Sequence, residues 1–125
     1  MALKTARVAA VILLALAVRA CSTPAKPQAQ DSEVIRHGRQ IYLAQPCPTC
    51  HGQDRMGATS GPPIRGLRGR WTEESLVRFL RNPSTSKQAD SRLKQLSERY
   101  RSDMPALILG DETRVRVFVA YLLQD

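Results

Sequence analysis

Two cysteines and a histidine stand together in this 125-residue chain, as Cys47-Pro-Thr-Cys50-His51. No other feature limits the fold as much. Two thiols three positions apart share one short turn, and an imidazole follows directly. Such a turn suits a flat cofactor that takes two thioether bonds along one edge and an axial ligand at its centre. That is the attachment chemistry of c-type haem, and one covalent haem c per chain is expected. Three other uses of the run are weaker. A thioredoxin-like dithiol belongs at a helix start in an α/β fold, and no segment here alternates like a strand. Zinc needs four ligands, and Cys47, Cys50, His51 and His37 are the candidates. Cys50 and His51 are sequence neighbours, poorly placed to share one ion. A Cys47–Cys50 disulfide is the remaining option. With three cysteines in the chain, one is left over, so no closed disulfide framework forms.

The N-terminus has the order of an export signal. Lys4 and Arg7 precede an uncharged run from Val8 to Val18, 11 residues long, against about 20 for a membrane-spanning helix. A small residue, Ala20, closes it. Val18-Arg19-Ala20-Cys21 resembles the bacterial lipobox, in which the cysteine is lipidated and becomes the mature N-terminus. Arg19 departs from that pattern. Ordinary cleavage after Ala20 and an uncleaved anchor are the alternatives. All three put the domain outside the cytoplasm, so nucleic acid is not expected as a partner despite the net charge of +8. Residues 1–20 hold Lys4, Arg7 and Arg19 and no acid, so the charge falls from +8 to +5 without them. Residues 21–33 contain two prolines and no large apolar residue and read as a flexible tether. Fully extended, that stretch reaches about 40 Å.

Residues 34–125 read as one all-α domain. Val34 to Ala44 carries its apolar residues at helical spacing and ends at Pro46 and Pro48. Residues 52–70 are rich in Gly and Pro and read as loop. Thr72 is placed to cap a helix to about Arg81, with Glu73 and Glu74 in its first turn and Asn82-Pro83 as its stop. A more polar helix is expected over residues 87–101, with Leu93, Leu96 and Tyr100 on one side. Asp111 caps a last helix whose inner face holds Val115, Phe118, Val119 and Leu122. Aromatic content is only 5%, thin for a domain this small. A buried macrocycle would supply the missing apolar surface.

A second iron ligand can be sought among the methionines. With Met1 set aside, Met56 and Met104 remain. Met56 lies five residues past His51, too few to cross from one haem face to the other. Met104 lies two helices further on and can wrap around the ring. A core role for Met104, with the ligand supplied otherwise, is the alternative.

At this point the chain resembles the class I monohaem cytochromes c, from about Val34 to Leu123. Gly38 and Tyr42 resemble the family's N-terminal helix, and Tyr121-Leu122 the C-terminal helix that crosses it. Gly61-Pro62-Pro63-Ile64-Arg65-Gly66 resembles the Gly-Pro loop. The resemblance implies that the Pro62 carbonyl accepts a hydrogen bond from His51. It implies that Trp71 shields a haem propionate, with Arg68 and Arg70 beside it. Met104-Pro105 resembles the axial Met-Pro. His37 matches no ligand and is expected on the surface of the first helix.

Two axial ligands leave no open position on the iron and raise its potential. The expected function is therefore single-electron transfer in the periplasm, with the domain tethered to a membrane by lipid on Cys21 or else soluble. The chain is not expected to be an enzyme on its own. A haem enzyme, or a redox or ligand sensor, would need a labile distal ligand. Between Arg65 and Arg101 stand ten Lys or Arg and four acids. Such a segment is either a solvated face or a docking patch for an acidic redox partner, with anionic lipid a third use. Arg92, Lys94 and Arg99 are expected to belong to the patch and to lie away from the propionate neighbours.

Overall fold

The computed structural model describes the backbone of residues 28–124 and the side chains of residues 32–124. The export signal, Cys21 and most of the tether lie outside the described residues. Six α-helices and one 3-10 turn make up the described chain, and no strand occurs among the described residues. The helices are α1 (Gln28–Ala44), α2 (Cys47–His51), α3 (Glu73–Arg81), α4 (Pro83–Ala89), α5 (Ser91–Tyr100) and α6 (Glu112–Leu122), with the 3-10 turn at Leu67–Gly69 between α2 and α3. No helix among the described residues is long and apolar enough to cross a membrane.

The frame is the crossing of α1 and α6. At Gly38 the helices touch backbone to backbone. A Cβ there would stand 2.4 Å from Tyr121 Cβ and 2.6 Å from the Val117 carbonyl oxygen. Glycine lets the axes close, and the larger side chains around it then pack. Ile41, Tyr42, Phe118, Val119 and Leu122 are all buried at this crossing and the core beside it. The Tyr42 and Tyr121 rings meet at 5.8 Å between centroids, tilted by 53°. The four inner-face positions expected of the last helix are buried, and Tyr121 joins them.

Helix α3 sets its stripe against this pair. Leu76 and Leu80 are buried, while Val77 and Phe79 pack half-buried against the core. Its start follows from Thr72, which accepts from the Ser75 amide while Ser75 Oγ accepts from the Thr72 amide. This reciprocal cap satisfies two donors that the first turn leaves over. Asp111 caps α6 more simply, by accepting from the Arg114 amide at 2.8 Å. Arg116 ties the two helices together at 2.6 Å from Glu73 and 3.3 Å from Glu112.

Three boundaries differ from those expected. Helix α1 starts at Gln28, inside the stretch read as tether. Pro27 is the last proline before Pro46, so nothing in residues 28–33 breaks a helix once the downstream turns are packed. The helix expected over residues 87–101 is two helices. Asn82-Pro83, read as a stop, also starts α4, because proline fits the first helical position. Asp90 then leaves the helical conformation and caps α5, accepting from the Arg92 and Leu93 amides. Finally, the short turn expected to carry the motif is itself a five-residue helix, α2.

Candidate functional site

The motif cysteines and histidine lie on α2. Cys47 and Cys50 are unpaired thiols on the wall of a cavity of about 550 Å³, and His51 lines the same cavity. Burial pushes the Cys47 thiol above its ordinary value, against the pull of a backbone hydrogen bond. A reactive dithiol needs the opposite shift. Among the described residues no group of three His, Cys, Asp or Glu is gathered to hold a metal ion, which leaves the zinc alternative without support.

His51 is buried, and its Nδ1 lies 2.8 Å from the Pro62 carbonyl oxygen. A carbonyl only accepts, so Nδ1 carries the proton and donates it. The lone pair is then on Nε2, free for a metal. The loop carrying Pro62 is pressed onto α2 at Gly61, where a Cβ would stand 2.6 Å from the Cys50 carbonyl oxygen. Any side chain there would push the Pro62 carbonyl away from the imidazole.

The rest of the wall is mostly apolar. It includes Tyr42, Ile64, Leu76, Phe79, Leu93, Leu96, Phe118 and Leu122. Met104 lines it too, on the segment between α5 and α6. That segment is held by the Leu107 amide, which donates to the Leu80 carbonyl at 2.7 Å, and by buried Leu109. Met56 is 58% exposed and is not part of the wall. His37 is exposed on α1, as expected.

Trp71 lines the cavity, with its ring centroid 5.0 Å from that of Phe79. Arg92 lays its guanidinium over the Trp71 ring at 4.9 Å. Arg70, Lys87, Arg92 and Arg99 all line the cavity. This corrects the placement of the patch. Arg92 and Arg99 belong to the cavity itself, and only Lys94 of the three lies off its wall. Helix α5 folds back over Trp71, a proximity that separation along the chain hides. Arg68 is not on this wall, and its Nε donates to the Leu123 carbonyl at 3.1 Å, at the end of α6.

A family model described as Cytochrome c matches residues 35–124. The chain belongs to the cytochrome c family. It is a class I cytochrome, a c-type electron carrier with covalently bound haem c. No curated protein and no solved structure gives a significant match. The residues of this cytochrome fit the group. The cavity lies within the roughly 300–1,000 Å³ of cofactor sites. Two thiols and one imidazole with a free nitrogen share its wall, most of the wall is apolar, and four cations stand along it.

Sequence reasoning passed over one residue of this cytochrome that touches the motif loop. Arg55 is buried, with its Nη1 donating to the Tyr121 carbonyl at 2.9 Å. An arginine in a polar, glycine-rich loop gives no signal of burial, because its partner is 66 residues away.

Proposed function

We propose that this cytochrome carries single electrons through a haem iron that His51 and Met104 would hold, outside the cytoplasm and tethered by lipid on Cys21. The observation that carries the ligation is the shared cavity wall of Cys47, Cys50, His51 and Met104, from which Met56 is excluded by its exposure. Haem c supplies a one-electron iron couple when bound. The chain does the rest. Cys47 and Cys50 would hold the ring, and His51 donates Nδ1–H to Pro62, which leaves Nε2 free for the iron. Such a bond fixes the ring plane and makes the nitrogen more basic. The apolar wall keeps water out. Met104 would serve as the second protein ligand and leave no open site on the iron for a substrate.

The cations beside the cavity support a partner of acidic surface. Arg70, Lys87, Arg92 and Arg99 face a single acid on the same wall, Asp103, which pairs with Lys87. An excess of one sign concentrates an opposite surface at the mouth and speeds encounter.

The test is the optical spectrum of the exported protein with and without carbon monoxide or cyanide. No ready binding of either is expected in the wild type. Met104→Ala should open the site, bind both and lower the potential, while Met56→Ala should change little. Ready binding by the wild type would favour the enzyme or sensor alternative, and the reverse pattern of the two alanines would move the ligand to Met56.

A further inference from the structure

Arg55 is the one charged side chain of the described core without a carboxylate partner. It is 7% exposed, and among the described residues no acidic oxygen lies within ion-pair distance. Its Nη1 donates to the Tyr121 carbonyl at 2.9 Å and to the Leu122 carbonyl at 3.4 Å. Its guanidinium carbon stands 4.6 Å from the centroid of the Tyr121 ring. These are carbonyls of the last turn of α6, the negative end of the helix, and α6 has no basic residue of its own there. A cation seated on carbonyl dipoles and a ring face is held in place, and no carboxylate pairs with it.

The backbone of Arg55 is held just as firmly. Its φ is 66°, a left-handed conformation that side chains other than glycine seldom adopt. Its amide donates to the Gly52 carbonyl at 3.2 Å, and its carbonyl accepts from the Ile64 amide at 2.9 Å. The second bond closes the neck of the loop that presents Pro62 to His51. Leu122, whose carbonyl Arg55 reaches, also lines the cavity, as does Tyr42.

We propose that Arg55 is a positioning residue and a fixed internal charge of the haem site: it holds the His51–Pro62 loop on the end of α6, and its cation, unpaired with any carboxylate, favours the reduced iron. The oxidised centre carries one more positive charge than the reduced one. A nearby cation in a low-dielectric interior opposes that extra charge and raises the potential. A buried charge is screened little by salt, so the effect persists at high ionic strength.

The proposal rests on the electron-carrier reading and is tested on the holoprotein. The midpoint potential and the denaturation midpoint of each oxidation state are measured for the wild type, Arg55→Lys, Arg55→Gln and Arg55→Gly. Arg55→Gln keeps a donor and loses the charge. Arg55→Gly suits the positive φ and remains available should the glutamine variant fail to fold. Both should lower the potential, at low and high salt alike, and destabilise the reduced form more than the oxidised. Arg55→Lys should hold the potential near the wild type while losing stability, since an ammonium cannot fork across two carbonyls. A purely structural role would weaken both oxidation states equally and leave the potential in place. An unchanged or raised potential in any folded charge-free variant overturns the proposal, as does a lysine variant that falls as far as glutamine. Absence of any reversible one-electron couple in the wild type overturns the carrier reading, and this proposal with it.

Discussion

Tyr42 shows how one side chain joins the frame to the site. It is fully buried at the α1–α6 crossing, and its Oη donates to the Gly52 carbonyl at 2.6 Å. Gly52 is the residue after His51, so the phenol pins the exit of α2. That carbonyl also accepts from the Arg55 amide, so Tyr42→Phe leaves no orphaned acceptor. The substitution should cost about 1 kcal/mol of stability near neutrality, the net worth of one hydrogen bond. Burial pushes the Tyr42 phenol above the usual tyrosine range. The unfolded chain loses this proton near pH 10, whereas the folded protein keeps it. The stabilisation is therefore complete below about pH 10 and is lost as pH rises toward the folded value. The denaturation midpoint of the reduced holoprotein should fall from roughly pH 10 upward, and Tyr42→Phe should flatten that fall. Equal slopes for the two proteins would remove Tyr42 as the cause.

Among elements, the crossing of α1 and α6 matters most, because α6 carries Phe118 and Leu122 to the cavity and its end receives Arg55. Gly38 is its contact point. Gly38→Ala gains up to ~1 kcal/mol of helix propensity. It also inserts a methyl where Tyr121 Cβ is 2.4 Å away, and overpacking of that kind costs about 1–3 kcal/mol. The balance should be a net loss of stability in thermal or denaturant unfolding, with some loss of haem incorporation. Gly69→Ala is the control, since a Cβ there meets nothing within 4 Å. If Gly38→Ala is as harmless as the control, the helices can part without cost, and the close approach is incidental.

At the scale of the molecule, the proposed acidic partner and the proposed lipid attachment each have a test. Charge reversal at Arg92 or Arg99 would disturb the cavity itself, because both line it. Lys94 is exposed and off that wall, so Lys94→Glu is the cleaner probe of docking. With an acidic redox partner, Lys94→Glu should slow second-order electron transfer at low salt and leave the potential near the wild type. The wild-type rate should fall steeply as salt rises, because screening sets in within about 10 Å at 0.1 M. A rate indifferent to salt would make the basic segment a solvated face. Attachment has a separate test. Cys21→Ser should release the protein from membranes with its haem intact. A wild type that fractionates as soluble, with an unmodified N-terminus, would mean that Arg19 defeats the lipobox.

The sequence by itself determined what depends on neighbours along the chain. Cys47, Cys50 and His51 sit within one turn, so their joint chemistry is local. The caps at Thr72 and Asp111 are local too, since each accepts from an amide three residues on. The inner face of α6 was legible because helical spacing alone sets it. The pairing of His51 with Pro62 was legible only through resemblance to a family, since a proline gives no sign of what its carbonyl accepts. The split at Asp90 was misjudged because a capping side chain competes with helix continuation, and packing decided the outcome. Tertiary structure alone brought Arg92 over Trp71, turned Arg68 away to Leu123 and buried Arg55 under Tyr121. All three are arginines, long and flexible enough to reach partners far along the chain. Where such a side chain settles is fixed by the carbonyls and ring faces that folding brings within its reach.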